Sequence, residues 1–432
     1  MRRGVAKTIF VGALILSAYG CAGSREAGSP AAEPTAGGES TGVPAASDSE
    51  AGATTNPASD AASPWGATRA EQCRQEPRPT MSAKARKTFE QGIQAALEGN
   101  TAAAETSFQQ TLKKDPNAYE ALYNLGVLAD RRANESVAME YYRRALAVVA
   151  DYEPAARGLS IIYLRRNQVQ EALRLVEPVA DTYRANLQMQ ALYAELLVEA
   201  RRLEEAWLAA RRALKCDERF VPALIALVKA SRAQGRDELA DSILDQALQI
   251  DPDVAELHFL DGERAEAEPG QLREALAAYE RAVELRPDYA EARMALGIQL
   301  LAGGNYDGAL AHFQAAANLA PMLPAVHVNL GDAYRATEQW AEAEREYRKA
   351  LELQPKLPEA HYGMGLLFLS SAGDIPGMDE LSAYQKAVDE FKAYRAQMGP
   401  RLTKGDQSAE YLRDLDRLIQ RAQRRLEREG GT

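Results

Sequence analysis

Apolar and small residues recur at helical spacing along most of the chain beyond Thr80, and the pattern itself repeats. One alanine column advances by 34 residues in six steps, by 35 in one and by 44 in the last. Two amphipathic helices per unit cannot bury their apolar faces alone, so we expect neighbouring units to stack into one continuous core. The column consists of Ala104, Ala138, Ala172, Ala206, Ala240, Ala275, Ala309, Ala343 and Ala387.

Three further columns stay in phase with this alanine, which we number position 20 of the unit. Position 8 is glycine in six units, at Gly92, Gly126, Gly262, Gly297, Gly331 and Gly365. Position 24 is bulky and apolar at Phe108, Tyr142, Val176, Leu244, Tyr279, Phe313, Tyr347 and Phe391. Position 32 is proline, which ends a helix, at Pro116, Pro252, Pro287, Pro321 and Pro355. A 34-residue unit with these columns resembles the tetratricopeptide repeat (TPR).

This resemblance implies an all-α fold, namely a TPR superhelix or α-solenoid of about nine helix-turn-helix repeats over residues 81–400. Pro178 falls inside the second helix of repeat 3 and predicts a kink there. Repeat 9 carries ten additional residues between its helices, around Ser371–Gly377. We expect this insertion either to form a contact surface or to be tolerated without a function.

Residues 401–432 are predicted to form a C-terminal capping helix and a tail. Apolar residues from Leu412 to Leu426 fall on one face of a helix predicted over Asp406–Arg428. Such a helix would cover the apolar face that the last repeat leaves open. A coiled-coil dimerisation helix is the alternative, since the heptad pattern lasts about two heptads.

The N-terminus has the layout of a secretory signal peptide over residues 1–20. Arg2, Arg3 and Lys7 precede an apolar stretch that ends in Ser-Ala-Tyr-Gly-Cys. These last residues resemble a bacterial lipobox, which implies lipidation of Cys21 and removal of the preceding segment. An ordinary cleaved signal remains the alternative. By the same resemblance, Ala22 directs the lipoprotein to the outer membrane of a Gram-negative bacterium. We expect the folded part to face the periplasm, and exposure at the cell surface stays open as the alternative.

Residues 21–80 are predicted to form the lipidated cysteine and a disordered tether. Of the 59 residues that follow Cys21, 41 are Ala, Gly, Ser, Thr or Pro, and none is Leu, Ile or Phe. Such a segment has nothing to offset the entropy cost of ordering. In layout, a lipobox, a tether and a long TPR array together resemble the TPR lipoproteins of the myxobacterial gliding-motility machinery.

Composition and motifs argue against enzymatic activity and against nucleic-acid binding. Lys and Arg number 51 against 62 Asp and Glu, a formal net charge of −11, which disfavours a general nucleic-acid binder. We found no phosphate-binding loop, nucleophile elbow or Cys-x-x-Cys, so we expect no enzyme, no cofactor and no small-molecule substrate. His258, His327 and His361 share position 4 of their repeats and are interpreted as packing residues rather than metal ligands.

Cys73 and Cys216 would both reach an oxidising compartment if the chain is exported. They could form a disulfide that folds the end of the tether back onto repeat 4. We favour the alternative, a free Cys216 packed as a small hydrophobic residue.

In TPR proteins the first helices line a concave groove, and the resemblance assigns several positions to it. The predicted partner-binding residues are Phe89, Tyr123, Arg131, Arg157, Arg165, Lys229, Arg232, Phe259, Met294, Arg335 and Tyr362. This mixture of aromatic anchors and charges suits an extended or helical peptide of a partner protein. Asn124 and Asn329 match one part of a carboxylate clamp, but the cations expected in the following repeats are missing.

Repeats 6 and 7 are rich in acidic residues. Between Asp251 and Glu291 there are 12 acidic residues against 4 basic ones. This predicts a negative patch, which either binds a cationic partner or is simply a solvated face.

The sequence therefore predicts a non-enzymatic scaffold, anchored to the outer membrane by lipid, that organises a multiprotein envelope complex such as a gliding-motility apparatus. Two alternatives stay open. The same groove could serve an assembly factor for a secretion or pilus channel, or an adaptor that recruits cell-wall enzymes.

Overall fold

The computed structural model describes residues 73–74, 77–403 and 405–429. Within these ranges the regular secondary structure is entirely helical, with nineteen α-helices and one short 3₁₀-helix at Gly399–Arg401. The predictions for the signal peptide, for Cys21 and for most of the tether lie outside the described residues. None of the described helices is long and apolar enough to cross a membrane.

Eighteen of the helices form nine successive pairs, one pair for each predicted repeat. They are α1 Ala83–Leu97, α2 Thr101–Lys114, α3 Tyr119–Arg131, α4 Glu135–Val148, α5 Glu153–Arg165, α6 Val169–Thr182, α7 Leu187–Glu199, α8 Leu203–Cys216, α9 Val221–Ala233, α10 Asp237–Ile250, α11 Ala255–Ala267, α12 Leu272–Leu285, α13 Ala290–Ala302, α14 Tyr306–Leu319, α15 Pro324–Ala336, α16 Trp340–Leu353, α17 Pro358–Ser371 and α18 Glu380–Met398. Each pair packs as a helical hairpin, and each second helix contacts the first helix of the next repeat. The predicted TPR superhelix is confirmed.

The alanine column that revealed the repeat lies at the centre of each hairpin. Every one of its nine members is at most 1% exposed. The position-8 glycines face the position-24 rings across the hairpin, and a Cβ atom added at Gly126 would lie 2.5 Å from Cε1 of Tyr142. Only glycine permits this helix spacing, because real Cβ atoms do not approach ring carbons so closely.

Two of the position-4 histidines, His258 and His327, bond to the end of the preceding repeat, whereas His361 contacts Glu390 of its own repeat. The Nε2 atom of His327 lies 2.9 Å from the carbonyl oxygen of Pro321, and His258 makes the same contact with Pro252 at 2.7 Å. The Nδ1 atom of His327 lies 2.8 Å from a carboxylate oxygen of Glu346. These side chains therefore join a helix start to the carbonyl group at the preceding helix end, where no intrahelical donor is available.

The sequence predicts two irregularities, one at Pro178 and one in the insertion of repeat 9. Helix α6 is continuous through Pro178, although the two helices of repeat 3 contact each other less extensively than those of the other repeats. The insertion in repeat 9 packs onto the array, since Ile375 is only 5% exposed and belongs to the core of the last repeats. This loop is thus part of the packing of repeat 9.

The last helix, α19 (Ser408–Glu429), packs against α18 and covers the end of the array. Its Leu415 and Ala422 are buried, whereas Leu426 remains 52% exposed. The Tyr394 hydroxyl donates to Asp406 over 2.7 Å and holds the connecting segment. The predicted capping helix is confirmed, beginning two residues later than expected.

A disulfide joins Cys73 to Cys216, with 5.5 Å between their Cα atoms. The expectation that Cys216 is a free, packed thiol was therefore wrong. Cys216 is the last residue of α8, where its side chain is half-buried and open to a crossing segment. The residues that precede α1 bring Cys73 to this position.

These residues, Cys73–Arg74 together with residues 77–82, form what we call the N-terminal strap. The backbone N–H of Ser82 donates to Asp115 at the end of repeat 1 over 2.7 Å. Arg78 then bonds the carbonyl oxygen of Asp151 at the end of repeat 2 over 3.3 Å. The strap thus follows the repeat ends back from repeat 1 to repeat 4.

Candidate protein-binding groove

The first helices of neighbouring repeats contact one another through the middle of the array, from α3 to α9 and from α13 to α17. Their facing side chains line the inner surface in these two stretches, and the Lys229–Glu256 pair connects α9 to α11 between them. In repeats 3 to 7 this surface carries alternating charges and a small cavity. We call this set of charged side chains, which contains Glu153, Arg157, Glu195, Lys229 and Glu256, the charge ladder.

Arg157 joins two carboxylates from different repeats. Its Nε atom donates to Glu153 over 2.5 Å on the same helix, and its Nη1 atom donates to Glu195 of repeat 4 over 2.6 Å. Burial lowers the pKa of Arg157, but the two carboxylates outweigh it and raise that pKa well above its ordinary value. Arg157 therefore stays charged and fixes α5 against α7.

Lys229 continues the ladder into repeat 6. Its Nζ atom lies 2.5 Å from Oε1 of Glu256, and the two side chains are only 20% and 24% exposed. Burial raises the pKa of Glu256, yet Lys229, with help from Arg286 and Arg157, lowers it below the ordinary value. The net field at Glu256 is therefore positive, although carboxylates are numerous in this region.

The cavity beside the ladder has a volume of about 60 Å³, enough for a few waters or one small polar group. Its polar wall consists of Arg157, Ser160, Glu195, Glu199, Lys229 and Glu256 together with Arg286 and Tyr289. Its apolar wall consists of Ile161, Leu164, Leu192 and Leu196. A side chain that carries a charged end on an aliphatic stem would match both walls.

Arg286 and Tyr289 form a stacked pair at one end of this cavity. The guanidinium carbon of Arg286 lies 3.4 Å from the centroid of the Tyr289 ring. The Nε atom of Arg286 and the hydroxyl of Tyr289 are both buried and have no hydrogen-bond partner among the described residues. Tyr289 is only 1% exposed, and burial raises its pKa well above the ordinary value.

Two of the predicted groove residues, Arg157 and Lys229, line the cavity. Arg157 and Lys229 belong to the ladder, Arg232 bonds Glu263 and the carbonyl oxygen of Leu260, and Arg335 pairs with Asp332. Arg165 pairs with Asp130 and Glu135 of repeat 2. Phe89 and Tyr123 are half-buried, and Arg131 is exposed.

Three predicted groove residues are buried instead. Met294 is fully buried, and Phe259 and Tyr362 are 6% and 7% exposed. The Phe259 ring packs against Tyr279 and Tyr289 at centroid distances of 5.7 and 5.4 Å. These side chains stabilise the stacking of repeats and do not offer accessible anchors to a partner.

The predicted negative patch is partly neutralised. Glu256 and Glu263 bind Lys229 and Arg232 of the preceding repeat, and Arg281 binds Asp253 and Glu284. An acidic count along the chain misses the first two bonds, because Lys229 and Arg232 lie outside the counted segment.

Sequence reasoning also missed Arg286 and Tyr289, which lie between two helices and outside the first-helix positions. One signal could have found Arg286. It stands at position 31 of its repeat, where repeats 1, 4 and 5 carry Asp115, Asp217 and Asp251. The other repeats carry Val149, Tyr183, Ala320, Gln354 and Met398 at this position, so Arg286 is the one cation in the column.

Comparisons with known proteins support the repeat assignment. Family models described as tetratricopeptide repeat match residues 89–154 and 264–324, and a model described as TPR repeat matches 331–371. The human protein O-mannosyl-transferase TMTC1 is 30% identical over 190 residues, which cover 42% of this chain and 21% of that protein. The chain thus spans about a fifth of the length of this relative.

Solved structures of low identity also match this chain. The human IFIT1 dimer with m7Gppp-AAAA matches at 14% identity and a TM-score of 0.49, covering 82% of this chain and 84% of that one. The APC/C hetero-tetramer Cut9–Hcn1 matches at 17% identity and a TM-score of 0.44, covering 78% and 77%. YrrB, described as a TPR protein with an unusual peptide-binding site, matches at 24% identity and a TM-score of 0.32, covering 43% and 95%.

Proposed function

Because the chain is built of tetratricopeptide repeats, which serve as protein-interaction scaffolds, we propose that it is a non-enzymatic scaffold that holds protein partners in its inner groove. The observation that carries this proposal is the inner surface of repeats 3 to 7, where a charge ladder and an apolar wall line one cavity. Such a mixture of fixed charges and apolar side chains suits recognition of a peptide segment.

We further propose that the protein is exported and attached to the outer membrane through lipid on Cys21. The lipobox-like residues before Cys21 support this proposal, and so does the Cys73–Cys216 disulfide, because disulfides persist mainly in oxidising compartments. In this model the tether lets the array work at a distance from the membrane and organise an envelope complex, such as a gliding-motility apparatus.

The first experiment concerns the anchor. The intact mass of the mature protein, purified from membranes, is compared with that of a Cys21→Ser variant. We expect a chain that begins at Cys21 and carries three acyl groups, whereas the variant is released or unprocessed. A mature chain cleaved without lipid would contradict the anchoring proposal and leave the scaffold proposal intact.

The second experiment concerns the partners. The native protein is purified from solubilised outer membrane, and the co-purified proteins are identified beside two single variants. Arg131→Glu reverses an exposed charge on the first helix α3, and Arg211→Glu reverses an exposed charge on the second helix α8. We expect the first variant to lose partners and the second to keep them.

The identity of the partners then distinguishes the specific roles. Motility proteins would support the gliding assignment, outer-membrane channel subunits would support an assembly factor, and cell-wall enzymes would support an adaptor. Recovery of the same proteins with both variants at wild-type levels would contradict a role for the inner groove.

A further inference from the structure

Arg286 stands at a position where three other repeats carry an aspartate with a structural task. In repeats 1, 4 and 5 the position-31 carboxylates of Asp115, Asp217 and Asp251 accept the backbone N–H two residues further on, over 2.9 to 3.1 Å. Such bonds stabilise the turn that leads into the next repeat. An arginine has no acceptor and cannot make this bond, so Arg286 does not serve this turn in the same way.

The side chain of Arg286 makes no hydrogen bond and no ion pair with any described residue. It is half-buried and stacks on the Tyr289 ring, and its Nε atom is a buried donor without an acceptor. The Nη groups of Arg286 make no hydrogen bond with any described residue either, and a carboxylate bound to them would offset part of the cost of burying this charged group. By contrast, Arg157 and Lys229 on the same cavity wall already hold carboxylates.

We propose that the cavity beside the charge ladder receives an Asp or Glu side chain of an extended partner peptide, with the guanidinium of Arg286 as its receptor. This inference rests on the proposed scaffold function and names the chemistry of the segment that the groove binds. A carboxylate beside Arg286 completes the alternation of the ladder, so that every cation on the cavity wall has an anionic partner.

Charge and shape both favour this occupant. A cationic side chain would find Glu195 and Glu256 already engaged by Arg157 and Lys229, and Glu199 also has a partner of its own. A carboxylate would meet the guanidinium of Arg286, which makes no ion pair with any described residue. The apolar wall of Ile161, Leu164, Leu192 and Leu196 accommodates the aliphatic part of that side chain or an apolar neighbour in the peptide.

The stacked geometry prepares Arg286 for this task. Packing on the Tyr289 ring restricts the planar guanidinium to one orientation, and less rotamer entropy is then lost when a carboxylate binds. Arg286 is thus a binding residue by this proposal, and Tyr289 is a positioning residue that acts through it.

The test uses the full-length protein, immobilised in detergent, and a random dodecapeptide library displayed with both peptide ends joined to the carrier. Carboxylates then come from side chains only. We expect selection to enrich Asp or Glu next to an apolar residue. Binding of the selected peptides should weaken tenfold or more with Arg286→Gln and less than twofold with Arg281→Gln, a control that removes an exposed cation of α12 outside the cavity.

A second arm leaves the protein unchanged. Replacing the enriched Glu by Gln, or Asp by Asn, in a selected peptide should weaken binding to the wild-type protein tenfold or more. The same replacement should cause little further loss with Arg286→Gln, because the two changes remove one interaction. This arm keeps the proposal testable even if the arginine variant folds poorly, and circular dichroism establishes whether it does.

The outcomes separate the two proposals. Peptides that bind without acidic enrichment, or that bind Arg286→Gln as well as the wild type, would overturn the carboxylate receptor and leave the scaffold function standing. Failure of the wild-type protein to select any peptide would overturn both the receptor and a peptide-binding groove.

Discussion

Gly363 touches Tyr347 across the boundary between repeats 8 and 9. A Cβ atom added at Gly363 would lie 2.5 Å from Cε1 of that ring, and one added at Gly331 on the other side would lie 2.7 Å from the same atom. The ring is fully buried, and its hydroxyl donates to Asp332 over 2.7 Å. It is therefore held between two glycines and cannot move aside for a methyl group.

We expect Gly363→Ala to destabilise the array by about 1 to 3 kcal/mol, because overpacking a rigid core has that cost and exceeds the gain in helix propensity. Urea unfolding followed by circular dichroism measures the shift in midpoint. Gly405→Ala is the control, since no atom lies within 4 Å of its added Cβ. Equal urea midpoints for Gly363→Ala and the wild type would contradict a Tyr347 ring that is held rigidly between two glycines.

The disulfide should stabilise the first four repeats. Cys73 and Cys216 are separated by 143 residues, and a cross-link over a long loop typically contributes about 2 to 4 kcal/mol. We expect Cys216→Ser to accelerate amide hydrogen exchange in α1 to α8 and to leave α11 to α18 nearly unchanged. Reduction of the wild-type protein should reproduce this pattern, whereas uniform acceleration along the array would argue against a local role.

We expect the loss of Lys229 alone to destabilise the protein more than the loss of Lys229 and Glu256 together. Lys229→Met leaves Glu256 without its cation, and we expect a loss of about 2 kcal/mol, below the 3 to 5 kcal/mol of fully buried pairs because both side chains are partly exposed. The double variant Lys229→Met/Glu256→Leu should recover most of this loss in urea unfolding. A double variant as unstable as the single one would contradict this account.

The same pair predicts an opposite pH dependence in the wild type and the single variant. In the wild type the folded-state pKa of Glu256 is lowered, so its contribution is present above the unfolded pKa and lost as the pH falls. In Lys229→Met, burial raises the pKa of Glu256, and stability should instead be gained as the pH falls. Urea midpoints at pH 4, 5 and 7 reveal the sign.

His312 should make the array sensitive to mild acid. Burial, with a smaller effect of Arg293, lowers its pKa in the folded state. The unfolded chain therefore binds this proton more readily, and stability should fall as the pH decreases through the ordinary histidine range near 6.5. We expect His312→Gln to reduce the drop in melting temperature between pH 7.5 and pH 5.5. An unchanged drop would contradict the role of His312 in this acid sensitivity.

The repeats could be predicted because a 34-residue period puts the same chemistry at the same place nine times. Gly126 and Tyr142, for example, each belong to a column whose pattern exposes its role before any contact is known. The capping helix could also be predicted, because the last repeat of a stack leaves an apolar face that must be covered.

The disulfide could not be predicted, because it depends on where the N-terminal strap runs. No repeat pattern covers Arg78 or Ser82, whose bonds to repeat ends bring Cys73 near Cys216. The burial of residues within the groove could not be predicted from the repeat columns either. Phe259 occupies a first-helix position expected to face a partner, yet the neighbouring rings of Tyr279 and Tyr289 enclose it.

The Cys73–Cys216 bond also determines how the molecule responds to mechanical tension. A pull on the chain ahead of Cys73 passes through the two sulfur atoms and enters the array at the end of α8. Helices α1 to α8 then lie in a closed covalent loop outside the path of the force, and a stretched N-terminus cannot peel them away one by one. For a protein tethered at that end, the first four repeats would keep their shape while tension acts directly on the fifth and those that follow.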